Sequence, residues 1–210
     1  MFKYLVSLFF LLVFSSNVLA EEFIAGQDYI ILKTSVEKTA TNQGSIAVTE
    51  FFSYGCPWCY RLEPSLNRWV TRQGNKITFK KIPLVFNQDW AFYAKAYYTA
   101  EALGRVPEFS EQLFKAILQD KRQLNSNEAM IEFFSQRGVD KSFAESAFLH
   151  SPSVDMALEE AKSLMAEYQI HAVPAFIVNR QYKTDLQLAK SEERLFAIID
   201  FLIQKAQQGK

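Results

Sequence analysis

A Cys-x-x-Cys pair, Cys56 and Cys59, narrows the possible folds of this chain more than any other part of the sequence, because it lies where a predicted strand meets a predicted helix. These are the only two cysteines among 210 residues. A closed structural zinc site needs further Cys or His ligands, and the only histidines, His150 and His171, lie far away without paired ligand spacing. A structural disulfide is a weak alternative, since a loop this short constrains little of the unfolded chain. The pair is therefore predicted to be a redox-active dithiol.

The residues around the pair predict its chemistry. Pro57 suits the first helical position because its missing N–H removes a donor that would be unpaired there, so Cys56 is the predicted N-cap and Cys59 lies one turn inside. The Cys56 sulfur is then predicted to be exposed and to face the positive end of the helix dipole. This lowers the pKa of its thiol and makes it both a nucleophile and a good leaving group. Cys59 is predicted to be the resolving thiol, and a lower Cys56 pKa makes the pair more oxidising.

The first 20 residues have the organisation of a cleavable secretory signal. Lys3 gives a short positive region, residues 4–14 are apolar, and small residues end the segment ahead of two glutamates. We predict cleavage after Ala20 and export to an oxidising compartment, where a disulfide can persist. A membrane anchor is the alternative, but the apolar run is short for a span of about 20 residues.

Composition and charge fit an ordinary folded domain. Removal of residues 1–20 leaves 190 of the 210 residues, enough for one domain that carries an insertion. The apolar fraction is 49% and the chain has 19 Phe, so the core is predicted to be unusually aromatic. Because 23 basic residues balance 23 acidic ones, nothing in the charge favours a nucleic acid or an anionic membrane surface as a partner.

The order of the predicted elements indicates an α/β fold. Residues 46–52 predict a central strand that is mostly apolar on both faces, as in a parallel sheet. A helix from residue 56 to 73 and a strand from 77 to 83 follow, and residues 29–32 predict a shorter strand before them. Open α/β sheets place their sites at the carboxyl ends of strands, which is where the dithiol lies.

After residue 87 the pattern changes to consecutive amphipathic helices. Four helices without a strand signal between them predict a helical insertion over one side of the α/β part, and a fifth leads back to the sheet. A strand at 175–178, a turn at Asn179 and Arg180, a strand at 181–183 and a final helix at 191–205 complete the chain. The five predicted helices span residues 90–103, 107–119, 127–137, 141–149 and 154–168.

Glu50 is the only charged residue in the predicted central strand. A buried carboxylate costs several kcal/mol unless it is paired or protonated, so Glu50 is predicted either to lie at an exposed edge or to take part in proton chemistry. In the second case it would take the proton that Cys59 loses during exchange. Glu63 follows Cys56 by seven residues on the same helix face, as either a solvated charge or a second group near the site.

Three features together resemble the DsbA-type periplasmic thiol:disulfide oxidoreductases, a branch of the thioredoxin fold. They are the Glu50–Ser53 segment before Cys-Pro-Trp-Cys-Tyr, the helical insertion, and the sequence Val-Pro-Ala-Phe-Ile-Val-Asn at 173–179. The resemblance covers essentially all of the chain after the signal and is specific, because these features occur in the family's order. It implies a thioredoxin-like domain formed by residues 21–86 and 155–210, with an inserted all-helical domain at 87–154.

The family pattern also implies a role for each residue of the site. Cys56 is the nucleophile, Cys59 is the resolving thiol, and Glu50 is the buried acid beneath the pair. Pro174 is a cis-proline whose loop faces the disulfide, although periodicity alone gives no reason to expect a cis bond there. Val173 would offer its backbone to an extended substrate peptide that adds as a strand beside the site.

Trp58 departs from the family pattern, which commonly has histidine after Pro57. Histidine donates a charged hydrogen bond to a thiolate, whereas the indole N–H of Trp58 is neutral. Without a histidine, the helix dipole remains, and its effect on a charge at the helix end is worth at most about 2 kcal/mol. This explains a lowering of the Cys56 pKa by only about one or two. Trp58 could instead bind the substrate, as part of an exposed aromatic group with Tyr54, Phe86 and Trp90. The alternative for Phe86 and Trp90 is that they belong to the core of the insertion.

Together these features predict an exported disulfide oxidase that introduces disulfide bonds into newly translocated, unfolded proteins bearing thiols. The resemblance implies no cofactor and no metal, and reoxidation by a DsbB-type membrane quinone reductase. One rival is a disulfide isomerase or reductase that is kept reduced, but only 25 residues separate Ala20 from the strand at 46–52, too few for the dimerisation segment of the family's two-domain isomerases. Another is a peptide-binding chaperone that uses the groove beside Pro174. Metal delivery through the two cysteines and His171 is the weakest alternative.

Overall fold

The computed structural model describes residues 23–33 and 45–208. The predicted signal at residues 1–20 lies outside these residues. In the two described ranges, no helix is both long and apolar enough to cross a membrane.

A mixed sheet of five strands lies at the centre of the fold. The strands are β1 Ile30–Ile31, β2 Ile46–Phe52, β3 Ile77–Pro83, β4 Ala175–Val178 and β5 Tyr182–Asp185. Their order across the sheet is β1-β5-β4-β2-β3, so the predicted central position of β2 is confirmed. β2 runs parallel to β3 and antiparallel to β4, which makes the sheet mixed where a parallel one was expected.

Eight α-helices surround this sheet in the described part of the chain. The predicted helices are confirmed to within a few residues, and only the short α7 was not predicted. A 3₁₀ turn, Gly74–Lys76, follows the first helix, and a π-helical turn, Lys115–Gln119, follows the third. The helices are α1 Pro57–Gln73, α2 Gln88–Ala102, α3 Val106–Phe114, α4 Asn127–Ser135, α5 Lys141–Leu149, α6 Pro152–Glu167, α7 Leu186–Ala189 and α8 Glu192–Gln208. The domain boundaries at 86/87 and 154/155 remain predictions.

Hydrophobic clusters cover both faces of the sheet. Successive side chains of a strand point to opposite faces, and in β4 Ala175 and Ile177 belong to one cluster while Phe176 and Val178 belong to the other. The first cluster includes the buried residues of α2 to α6, and the second includes those of α8 and part of α1. Cys59 belongs to the first cluster, so the dithiol packs against the helices that lie between β3 and β4 in the sequence.

The hairpin predicted between β4 and β5 is confirmed, and its turn is tight. Asn179 and Arg180 both have positive φ angles, 51° and 58°, and Gln181 N donates to Val178 O at 3.1 Å. Two central residues with positive φ define a type I′ turn, whose twist matches that of paired strands. The turn sets the register of β4, the strand that begins beside the active site.

Candidate active site

The two cysteines occupy the N-terminus of α1 as predicted. Cys56 is the N-cap with extended backbone angles of −94° and 113°, and Pro57 is the first helical residue. Cys59 N donates a hydrogen bond to Cys56 Sγ at 3.3 Å, so the sulfur caps one of the unpaired backbone donors of the first turn. Both cysteines are free thiols.

The prediction that the Cys56 sulfur is exposed is wrong. Cys56 exposes only 5% of its surface and Cys59 exposes none. The loop before β4 causes this, because Cys56 Sγ donates to Val173 O at 3.4 Å. Cys56 is still the more exposed of the two cysteines.

The thiol pKa values of the two cysteines move in opposite directions. A hydrogen bond with the Cys59 side chain and backbone hydrogen bonds of Cys59 and Trp58 together lower the pKa of Cys56 from 9.0 to about 7, against the opposing effect of burial. Burial raises the pKa of Cys59 well above its ordinary value, and the neighbouring Cys56 and Glu50 add to this increase. At neutral pH Cys56 is therefore the available thiolate, and Cys59 keeps its proton.

The Val173–Pro174 peptide bond is cis, as the resemblance implied. The loop that carries it is tied down at its start, where α6 ends. Lys183 Nζ on β5 donates to the carbonyl oxygens of Tyr168 and Gln169 at 3.2 and 2.8 Å. These bonds satisfy carbonyl groups that are left unpaired at a helix C-terminus, and they fix the loop that contacts Cys56.

Glu50 is fully buried and lies in the interior strand β2, which excludes the alternative of an exposed edge. Its Oε2 lies 3.0 Å from Lys81 Nζ. Burial and the charge of Glu63 together raise the pKa of Glu50 from 4.5 to about 7, against the opposing effect of Lys81. A carboxyl group with a pKa near neutrality can both donate and accept a proton at working pH.

Lys81 is the residue of the site that the sequence analysis did not assign. Its Nζ lies 2.6 Å from Glu63 Oε2 and 4.5 Å from the centre of the Phe52 ring. Burial lowers the pKa of Lys81, but the charges of Glu50 and Glu63 raise it more, so the net change is upward. Glu63 is therefore near the site and is not a solvated charge. The sequence contains a signal for this, because Ile77, Phe79 and Lys81 occupy alternate positions of β3 and therefore point to the same face of the sheet. Lys81 is a charged residue on a face that the other two make apolar.

A groove of about 550 Å³ runs beside the dithiol. Trp58 and Arg61 of α1 line it, together with Val173 and Pro174 of the cis-proline loop. Trp58 is 56% exposed, which agrees with the prediction of an exposed aromatic residue between the cysteines.

The other predicted surface aromatic residues differ from one another. Tyr54 is fully buried and its hydroxyl lies 2.8 Å from Ser110 Oγ, so its predicted exposure is wrong. Phe86 is 39% exposed and packs on Trp90 with ring centroids 5.5 Å apart. The indole of Trp90 lies directly over Gly55, where an added Cβ would meet Trp90 Nε1 at 2.3 Å. Helix α2 thus covers the backbone turn that precedes Cys56.

The described residues contain no group of three or more His, Cys, Asp or Glu side chains that could hold a metal ion. His171 lies on the cis-proline loop and lines a separate pocket of about 260 Å³ with Gln169 and Lys183.

A dithiol whose outer sulfur loses its proton far more readily than its inner one is suited to exchanging a disulfide with another molecule. On a sheet of this topology, at a helix N-terminus facing a cis-proline, it defines a thioredoxin-like thiol:disulfide oxidoreductase. Comparison with known proteins identifies the family within this class of oxidoreductases. Residues 47–196 match the model of the DSBA-like thioredoxin domain, and the chain belongs to this family.

Individual relatives agree over most of the chain. It is 34% identical over 186 residues to the thiol:disulfide interchange protein DsbA of Burkholderia cepacia, covering 89% of this chain and 87% of that protein. It is 35% identical over 185 residues to the protein of the same name from Azotobacter vinelandii, covering 88% and 85%. The crystal structure of Pseudomonas aeruginosa DsbA matches with a TM-score of 0.81 at 30% identity, covering 89% of this chain and 96% of that one. The predicted thioredoxin-like α/β fold with a helical insertion is therefore confirmed.

Proposed function

We propose that this protein is an exported disulfide oxidase, which introduces disulfide bonds into newly translocated, unfolded proteins. The observation that carries the proposal is the position of Cys56 Sγ, which accepts from Cys59 N at 3.3 Å and lies 3.4 Å from Val173 O. The first contact stabilises a thiolate on Cys56, and the second places that sulfur beside a backbone edge where a substrate strand can lie. Family membership supports the same reaction class.

The first step is attack on the enzyme disulfide. A substrate thiolate attacks Cys56 Sγ and forms a mixed disulfide, while the Cys56–Cys59 bond breaks and its electron pair leaves on Cys59. Because burial raises the pKa of Cys59 well above its ordinary value, this leaving thiolate needs a proton at once. Glu50 supplies it, since its pKa of about 7 keeps a large part of it protonated at neutral pH.

The second step releases the product. A second thiolate of the substrate attacks the substrate sulfur of the mixed disulfide, which forms the substrate disulfide and expels Cys56 as a thiolate. The substrate has lost two electrons and the enzyme has gained them. The lowered pKa of Cys56, about 7, makes it a good leaving group in this step.

Substrate binding is assigned to the groove beside the dithiol. Val173 presents its backbone to an extended peptide, Pro174 belongs to the loop that contacts Cys56, and Trp58 lines the opposing edge on α1. Pro57, the residue before Trp58, is assigned to substrate binding by the family pattern alone. The thioredoxin-like residues 21–86 and 155–210 carry the dithiol, and the insertion at 87–154 covers it.

Catalytic turnover needs an oxidant for the reduced enzyme. A DsbB-type membrane quinone reductase is the proposed partner, and the periplasm, reached by a signal peptide cut after Ala20, is the proposed location. In such an oxidising compartment the disulfide form can persist between encounters.

A second candidate function, a reductase or isomerase that is kept reduced, is favoured by one observation. The Cys56 pKa of about 7 equals the value typical of thioredoxin and exceeds the value of about 3.5 found for a strongly oxidising DsbA. A smaller lowering of the pKa stabilises the reduced form less and makes the pair less oxidising.

The reduction potential of the Cys56–Cys59 pair separates these candidates. The protein is equilibrated with glutathione mixtures, and free thiols are counted by alkylation. We expect a potential above about −200 mV, on the side of DsbA at about −120 mV, whereas a value near the −270 mV of thioredoxin would overturn the oxidase proposal. A Cys56→Ser/Cys59→Ser variant tests the chaperone alternative, because full retention of folding activity without thiols would leave only peptide binding.

A further inference from the structure

Arg61 stacks on the exposed residue of the Cys-x-x-Cys motif. Its Cζ atom lies 5.6 Å from the centre of the Trp58 ring, within the reach of a cation–π contact. The two residues are three apart on α1, a spacing that brings side chains together on one helix face. Because an indole is the best aromatic partner for a cation, Trp58 holds a guanidinium at the edge of the active site.

This guanidinium is not neutralised by the described part of the chain. No carboxylate oxygen within residues 23–33 and 45–208 lies within 4.0 Å of its nitrogen atoms. Stacking on an indole uses the flat face of a guanidinium and leaves its edge N–H donors able to bind a carboxylate. Arg61 is thus held beside the groove by Trp58, and its N–H donors are available to pair with a carboxylate of a bound peptide.

The charges around the groove are not uniform. Arg61 lines it from α1, next to Trp58, whereas Glu192 and Glu193 line it from the start of α8. Lys190 lies just before these two glutamates and also lines the groove. An acidic side chain of a bound peptide therefore meets an unpaired cation at the α1 edge and mixed, mostly negative charge at the α8 edge. A charge effect of this kind depends on where the acidic residue stands in the peptide.

We propose that Arg61 is a specificity-determining residue, which favours thiol-bearing polypeptides with an acidic side chain on one side of the attacking cysteine. The inference rests on the proposed function, because it concerns the substrate of the same site. The ligand is an extended segment whose cysteine sulfur reaches Cys56 while its carboxylate accepts hydrogen bonds from Arg61. Trp58 contributes by holding the guanidinium in place.

The test uses matched dithiol peptides that carry Glu or Gln either directly before or directly after the attacking cysteine. The rate at which each peptide reduces the disulfide form of the full chain is followed by stopped-flow fluorescence. A nearby Glu also raises the pKa of the peptide thiol and so changes the rate with any form of the protein. To remove this effect, the ratio of the rates with the Glu and Gln peptides is measured for the unmodified protein and divided by the same ratio for Arg61→Gln. We expect this quotient to be about two to five for one placement of Glu, as for an exposed ion pair, and about one for the other placement.

Arg68→Gln is the matched control. Arg68 lies on the same helix and bonds to Ser65 Oγ at 2.9 Å, outside the groove. Its Glu/Gln ratios should equal those of the unmodified protein, and 0.5 M salt, with a Debye length of about 4 Å, should reduce the effect of Arg61. A quotient of one for both placements, or an equal effect of Arg68→Gln, overturns the inference while peptide oxidation itself continues. Absence of oxidation of any peptide would instead count against the proposed function.

Discussion

Lys81 Nζ lies 3.0 Å from Glu50 Oε2, and the two residues are direct partners in the parallel register of β2 and β3. The same ammonium group lies 2.6 Å from Glu63 Oε2 on α1. One cation is therefore shared by two carboxylates from different elements, and the charge of one of them, Glu50, raises the pKa of Cys59. Because the pKa of Glu50 is about 7, the net charge of this cluster changes within the pH range in which thiol exchange takes place.

Replacement of Glu50 by Gln should stabilise the fold at alkaline pH. Burial raises the Glu50 pKa from 4.5 to about 7, so between these values the native state binds a proton that the unfolded state releases. Stability from this group therefore falls as pH rises from about 4.5 to 7 and stays low above that. We expect Glu50→Gln to gain about 1–3 kcal/mol at pH 8 and little at pH 4, measured by urea unfolding of the reduced protein. Equal effects at both pH values would contradict the assigned pKa.

Replacement of Lys81 by Met should have the opposite effect on stability. It leaves Glu50 and Glu63 as neighbouring carboxylates without their cation, and breaking a buried pair in this way costs about 3–5 kcal/mol. The loss should be largest at pH 8 and smaller near pH 5, where Glu50 takes up a proton. Lys80→Met is the control, since Lys80 directly precedes Lys81 in β3 and its side chain is 49% exposed. A similar loss in both variants would show that the buried position of Lys81 is unimportant.

The contrast between the buried Lys81 and the exposed Lys80 shows which features of this chain cannot be predicted from its sequence alone. Strand and helix positions follow from local patterns, and β2, β3 and α1 lie where periodicity and Pro57 predicted them. The pairing of Glu50 with Lys81 depends on the register between two strands separated by a whole helix, which no local pattern specifies.

Exposure was the property predicted least well. Tyr54 precedes the active-site turn and was expected at the surface, but α3 covers it through the contact with Ser110. Cys56 was expected to be open, but a loop more than a hundred residues later in the chain covers it. In both cases the covering group comes from a distant part of the sequence, so burial is decided by tertiary packing and not by the pattern around the residue.

Replacement of Trp58 by His should make the dithiol more oxidising. An imidazolium donates a charged hydrogen bond to the Cys56 thiolate, which is worth about 1 kcal/mol more than a neutral one. The Cys56 pKa should then fall from about 7 to about 6, followed by thiolate absorbance near 240 nm. The reduction potential should rise by about 20 mV at pH 7, because a tenfold stabilisation of the reduced form is worth about 30 mV. Trp58→Phe provides the comparison, and an equal shift in that variant would mean that loss of the indole, not gain of the imidazole, is responsible.

Replacement of Gly55 by Ala should destabilise the protein through Trp90. An added Cβ would lie 2.3 Å from Trp90 Nε1 and 2.9 Å from its Cδ1, so the indole or the turn must move. Overpacking of this kind costs about 1–3 kcal/mol. In a double-mutant cycle the cost of Gly55→Ala should largely disappear in a Trp90→Ala background. It should persist in a Phe86→Ala background, because Phe86 contacts Trp90 but is not among the atoms nearest Gly55.

The cover over the dithiol also affects its chemical durability. Sulfenic and sulfinic acids form on cysteines that are both deprotonated and accessible, and Cys56, with 5% of its surface exposed, meets only the first condition. In the proposed reaction a polypeptide aligns with the Val173 backbone and brings its thiol to the sulfur, whereas a peroxide molecule in bulk solvent meets almost no sulfur surface. We therefore expect the loop proposed to receive the substrate to protect the reduced dithiol from overoxidation as well.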